Sequence, residues 1–230
     1  MRTNICFVSL VAFGLSLGLL HAQTTIFSDS FETPALGSDD TFTNNGTITN
    51  WSKSGGPGAY GVERLATTHF SGTYPRATNG VQVGYSNGGN QQFTQILTGS
   101  LMAVNTTYTL SIDIGDRNDT NFTGYELQLF AGSTQLAIDY NTIAVPDGGW
   151  ATATISYTST PTDPLAGQTL KIEFQSGSAV QQGEETGGQT IYDNVKLIAT
   201  PVPEPSICAL LSAGGVLLLG VIRRRRKLIS

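Results

Sequence analysis

A two-residue rhythm governs most of this chain, and no helical rhythm competes with it. In "YTLSIDI", Tyr108, Leu110, Ile112 and Ile114 fall on one side and Thr109, Ser111 and Asp113 on the other. The same alternation runs through "YELQLF" (Tyr125, Leu127, Leu129), "QLAIDY" (Leu136, Ile138, Tyr140) and "WATATISY" (Ala151, Ala153, Ile155, Tyr157). It returns in "LKIEF" (Leu170, Ile172, Phe174) and "IYDNVKL" (Ile191, Val195, Leu197). Successive side chains of a strand point to opposite faces, so this pattern predicts strands with one buried and one wet face. Further strands are expected over residues 25–31, 48–52, 60–65, 81–85 and 91–97. The stretches "NGG", "AGS", "PDGG" and "LAGQ" supply turns between them. About ten antiparallel strands without helices must bury their apolar faces against each other, which gives two packed sheets. The expected fold is all-β, a single antiparallel β-sandwich of jelly-roll type.

The two ends have a different character. Residues 1–22 carry Arg2, then an apolar run from Ile5 to Leu20, then a small residue, Ala22, before Gln23. That order is the layout of a secretory signal peptide. Residues 23–199 form the sandwich and residues 200–206 a Pro-rich linker, "TPVPEPS". Residues 207–222 are an apolar run with the length of a short transmembrane helix, about 24 Å. Residues 223–230 form a basic tail led by Arg223, Arg224, Arg225 and Arg226, which the positive-inside rule places in the cytoplasm. Both cysteines, Cys6 and Cys208, lie in these ends, so the sandwich has no disulfide and no thiol chemistry.

Charge narrows the partners. The sandwich holds six basic residues against sixteen acidic ones, a net of −10. Nucleic acid and anionic lipid need a basic surface and are disfavoured, whereas a divalent cation or a neutral polysaccharide is compatible. Catalytic signatures are scarce. No G-x-S-x-G elbow occurs, and the sandwich's sole histidine, His69, reads as a solvated loop residue. Acids sufficient for a two-carboxylate glycosidase are present, but on strand faces they read as the wet side. Trp51 and Trp150 are expected to cap the core. Tyr74, in the polar stretch "SGTYPRATNG", is the ring placed to stack on a sugar.

One acid stands out. Asp193 shares strand parity with Ile191, Val195 and Leu197, which puts a carboxylate on the expected core side. Such a group must be paired, protonated or bound to a cation. Structural calcium held by Asp193 and Glu32, the latter following the first strand in "SDSFETP", would meet that need.

The chain's end now has enough context for a resemblance. Pro203-Glu204-Pro205, the apolar run and the arginine cluster together resemble the PEP-CTERM sorting signal. The resemblance implies export through the Sec machinery, with removal of the leader by signal peptidase and recognition by an exosortase at the inner membrane. It also implies association with extracellular polysaccharide. "SFETPAL", "LTGSLMAVNTTYTLSIDIGDR", "AGQTLKIEFQS" and "YDNVKL" are similar to the jelly-roll body of such proteins and to galactose-binding-like carbohydrate-binding modules. In those modules the early "FE" acid and the late "D-x-V" acid bind structural calcium, which again implicates Glu32 and Asp193. The expectation is a non-catalytic surface or matrix protein in contact with polysaccharide, with a secreted carbohydrate-active enzyme or a purely structural envelope protein as the alternatives. Intact mass of the mature protein is expected to show loss of residues 1–22 and a second cut near Pro203-Glu204-Pro205. An uncut chain would remove the sorting reading.

Overall fold

A computed structural model describes residues 22–55, 58–88, 91–177 and 188–203. Residues 1–21 of the expected signal peptide, Glu204 and Pro205 of the expected sorting motif, the apolar run and the basic tail lie outside these residues. No helix among the described residues is long and apolar enough to cross a membrane.

The described strands form two antiparallel sheets. In chain order they are β1 (Thr24–Asp29), β2 (Thr41–Phe42), β3 (Ser52–Gly55), β4 (Tyr60–Arg64), β5 (Val83–Asn87) and β6 (Gln91–Leu101). β7 (Thr106–Gly115), β8 (Tyr125–Ala131), β9 (Thr134–Tyr140), β10 (Trp150–Thr158), β11 (Thr169–Ser176) and β12 (Gln189–Pro201) follow. The larger sheet runs β10-β7-β12-β5-β4-β2, with β1 also paired to β12. The smaller runs β3-β6-β11-β8-β9. The all-β sandwich read from the alternation is therefore correct.

The inward faces are the ones the two-residue period selects. Tyr108, Leu110, Ile112 and Ile114 of β7 meet Tyr125, Leu127 and Leu129 of β8 and Leu170, Ile172 and Phe174 of β11, all buried. Phe174 is the hub of an aromatic cluster, with ring centroids 4.8 Å from Trp51, 5.0 Å from Phe93 and 4.7 Å from Tyr192. Offset and edge contacts of this kind add to the area the rings bury. Trp51 caps the core as expected, and its indole N–H donates to Asp29 at 2.9 Å.

The period fails where the backbone bends. The strand expected over 48–52 is a tight turn in which Ile48 bridges Trp51 and Asn50 sits at φ 72°. The short edge strand β2 has no alternation to announce it. The largest departure is in β12. Asp193 pairs with Asp113 but Lys196 pairs with Ser111, so β12 carries one extra residue. Asn194 takes φ 48° there, a left-handed value that Asn tolerates. Parity inverts across this bulge. Val195 and Leu197 face the sandwich core, whereas Ile191 lies on the opposite face, in a second apolar cluster with Leu65, Phe70, Ala77, Val83 and Tyr85. Asp193 is buried on that outer side, beneath the chain segment 66–82, and not in the sandwich core where simple parity places it.

Asp193 is fully buried. Burial pushes its carboxyl up from 3.8 to about 7, against the pull of hydrogen bonds from Asn79, Asn194 and Thr78. Between about pH 4 and pH 7 the folded chain therefore holds a proton that the unfolded chain has released. This group's contribution to stability falls as pH rises through that window and is constant above it. The expected size is on the order of a few kcal/mol. Urea denaturation of the wild type and Asp193→Asn across pH 4–8 should show this component in the wild type alone. Parallel pH profiles would refute the assignment.

Candidate functional site

The outer face of the larger sheet supports a cavity of about 520 Å³, within the range of small-molecule sites. Its floor follows from register. Glu63 of β4 pairs with Val83 and Phe42, while Tyr85 of β5 pairs with Gly61 and Ile191. Gln189 opens β12 opposite Asn87. These positions bring Glu63, Tyr85, Asn87 and Gln189 into the lining on one side of the sheet. Loops complete the walls. Asp40 precedes β2, His69 ends the 3-10 turn Thr67–His69, and Arg117 follows β7. Phe42, Asn44 and Ala59 close the remaining side.

Arg117 organises the polar wall. Its Nη1 donates to Glu63 and to Gln189, each at 3.0 Å. Its Nε and Nη2 grip both oxygens of Asp119 at 2.9 and 2.8 Å, and Nη2 also lies 3.3 Å from His69 Nδ1. A guanidinium has five N–H groups; Glu63, Gln189 and Asp119 engage four of them, and the fifth is turned to His69. Gln189 turns its amide N–H groups to Glu63 at 3.2 Å and to Asn87 at 2.9 Å. Both Glu63 oxygens are thus held in place. Burial raises the Glu63 carboxyl above its ordinary range, opposed by the charge of Arg117 and the hydrogen bond from Gln189. The hydrogen bond from Arg117 holds Asp119 below its ordinary range.

The apolar wall is aromatic. Phe42 and Tyr85 meet edge to face, with centroids 6.2 Å apart. The Tyr85 hydroxyl donates to the Thr43 carbonyl at 2.7 Å, and burial pushes its pKa up to about 12. It therefore lends the cavity a ring more than a proton. Phe42 is 57% exposed at the rim, so a ligand entering the cavity covers it.

Several expectations change here. His69 is not a solvated loop residue. Its two ring nitrogens each lie 2.9 Å from a carboxylate, Asp40 on one side and Asp119 on the other. Three loops far apart in sequence meet at this imidazole, and hydrophobicity patterns carry no signal for that. Trp150 packs outside the main core, stacked on Phe70 with its N–H donated to Pro75. Tyr74 is 38% exposed, packs against Gly149 and does not line the cavity.

Glu32 and Asp193, the expected calcium ligands, both bind the segment 78–82. Asp193 accepts the N–H groups of Thr78 and Asn79 on one oxygen and Asn194 on the other, all at 2.7 Å. One oxygen of Glu32 accepts those of Val81 and Gln82 at 2.8 and 2.9 Å. Together they hold the two ends of the 78–82 segment. These N–H groups supply hydrogen-bond partners to both carboxylates. Among the described residues no three Asp, Glu, His or Cys side chains gather where one ion could bind.

Comparison with known proteins agrees with the site more than with the earlier functional expectation. The family model described as HpiC1-like, HpiC1 cyclase, matches residues 22–198. A Stig cyclase, Fisc, from Fischerella sp. TAU, solved with (3Z)-3-(1-methyl-2-pyrrolidinylidene)-3H-indole, is similar at 25% identity and TM-score 0.66, over 79% of this chain and 100% of that one. A cyclase from the same source, solved with 4-(1H-indol-3-yl)butan-2-one, is similar at 26% identity and TM-score 0.63, over 76% and 96%. A xylan-binding CBM22 domain of Xyn10C from Paenibacillus barcinonensis shares the fold at 15% identity and TM-score 0.50, over 80% and 99%. No curated protein matches the chain. The reading of a non-catalytic, polysaccharide-contacting protein is thereby overturned. The matched family is one of cyclases, and the likeness to carbohydrate-binding modules is one of fold.

Arg117 gives the site its first test. Arg117→Met leaves Glu63 buried without its cation, which typically costs about 3–5 kcal/mol. Urea denaturation should show that loss near neutral pH and a smaller one at pH 4, where Glu63 is protonated. An unchanged midpoint would mean that the guanidinium does not organise the wall.

Proposed function

The chain belongs to the HpiC1-like cyclase family, and from that premise we propose that it is an enzyme closing a ring within a small unsaturated substrate held in the 520 Å³ cavity. The observation that carries this is Glu63. It is a buried carboxyl with a raised pKa, fixed by Arg117 and Gln189, in a cavity that Phe42 and Tyr85 also line. A carboxyl of this kind holds a proton nearer neutrality than an exposed one and is suited to general acid catalysis.

An intramolecular ring closure initiated by a proton needs no oxidant or second substrate. Glu63 delivers its proton to a double bond, electrons of a second double bond in the same molecule form the new carbon–carbon bond, and the resulting cation loses a proton to the Glu63 carboxylate. Substrate and product are isomers, and Glu63 returns to its starting state. Phe42 and Tyr85 supply the shape that holds the chain folded and a π-surface for the cation. The indole compounds bound by the two Fischerella cyclases support a flat aromatic nitrogen heterocycle as the core of the substrate. The leader-like and PEP-CTERM-like ends support a place of action outside the cytoplasm.

The test is a panel of indoles bearing alkenyl chains, incubated with the enzyme and analysed for products of unchanged mass and altered retention. Glu63→Gln keeps the size and the hydrogen bond to Arg117 but cannot cycle a proton. It is expected to lower isomer formation by about 10²–10⁴-fold, the usual range for general acid catalysis. Wild-type activity should fall as pH rises through the raised Glu63 pKa. Undiminished isomer formation by Glu63→Gln would overturn the assignment.

A further inference from the structure

The polar wall also constrains the charge of what enters. We infer that the cavity selects a substrate carrying a positive charge, a protonated amine or iminium on an aromatic frame, and rejects carboxylates and phosphates. This inference rests on the cavity being the substrate site.

Arg117 is the reason. A lone guanidinium in a pocket ordinarily announces an anionic ligand. Here four of its N–H groups are engaged by Glu63, Gln189 and Asp119, the fifth is turned to His69, and its side chain is 14% exposed. An anionic group that displaces Glu63 or Gln189 leaves a buried carboxylate or amide unsatisfied, and one that displaces Asp119 only exchanges one carboxylate for another. Arg117 is thus a positioning residue for Glu63. His69 is engaged in the same way between Asp40 and Asp119.

What remains available is acceptor capacity. Each carboxylate oxygen can accept more than one hydrogen bond. Asp40 lines the cavity with its side chain 62% exposed, and the hydrogen bond from His69 holds its carboxyl below the ordinary range. Glu63 lines the same cavity. Beside it, at the paired and next same-face positions of the sheet, stand Phe42 and Tyr85, rings of a kind that attracts cations and not anions. Three carboxylates stand around one guanidinium and one imidazole, so the potential in the cavity is negative or neutral with His69 in either charge state. Both walls therefore favour the same ligand charge.

The experiment is isothermal titration of the full chain at pH 7 with three ligands of similar size: tryptamine (cation), 3-ethylindole (neutral) and indole-3-acetate (anion). Tryptamine is expected to bind at least tenfold more tightly than 3-ethylindole, with its advantage shrinking as salt is raised, and indole-3-acetate to be the weakest. Asp40→Asn, which keeps the size and an acceptor oxygen for the Ala66 N–H, should reduce the preference several-fold. Equal binding of the three, tighter binding of the anion, no binding, or a preference untouched by Asp40→Asn would each overturn the inference. Its failure is separable from that of the catalytic reading. Isomer formation lost in Glu63→Gln with no charge preference would sink selectivity alone. A clear preference with isomer formation unaffected by that substitution would sink catalysis alone.

Discussion

The single extra residue in β12 decides the layout of the larger sheet. Without it, one strand could bury one set of alternate side chains, and Ile191 would face the same way as Leu197. With Asn194 in a left-handed conformation, the strand serves two interiors in succession. Its C-terminal part, through Val195 and Leu197, closes the sandwich. Its N-terminal part, through Ile191, meets Val83, Tyr85, Leu65 and Phe70 on the outer side. That second cluster lets segment 66–82 lie across the sheet, and His69 reaches the cavity because the segment is held there. Asp193 and Glu32 secure its far end through backbone N–H groups.

The cavity is a consequence of that added layer. A bare sheet face is open to water, where ion pairs contribute little. Partly covered, the same groups interact in a lower dielectric and must satisfy one another. Arg117 answers this by binding two carboxylates and one amide, with the His69 ring beside it. The result is a fixed polar cluster whose remaining reactivity is concentrated in Glu63, beside the rings of Phe42 and Tyr85.

The sequence and the structure agree where a local period exists. The strands rich in alternating Leu, Ile and Tyr are where the period puts them, and Trp51 caps the core as its size suggests. Agreement is lost where position depends on a backbone irregularity or on several loops at once. The Asp193–Asn194 pair carries a hint, since Asn after a strand-like run tolerates positive φ, but parity counting overlooks it. Glu63 looks like any polar residue between apolar neighbours in "YGVERL". Nothing near it in sequence shows that Arg117, more than fifty residues later, will meet it. His69 escapes the pattern for the same reason: its partners Asp40 and Asp119 lie on either side of it in the chain, and only the fold brings all three together.

β2 is two residues long and stands at the open edge of the larger sheet, yet it presents Phe42 to the cavity. One of the cavity's two rings, Phe42, is therefore mounted on the part of the sheet that shares least with the core. Changes in length or composition there would alter the shape of the cavity while Phe174 and its ring cluster stay packed. Such an architecture separates inheritance of the scaffold from inheritance of the substrate. Descendants of one chain can diverge in what they accept through a handful of edge residues, without passing through unstable intermediates.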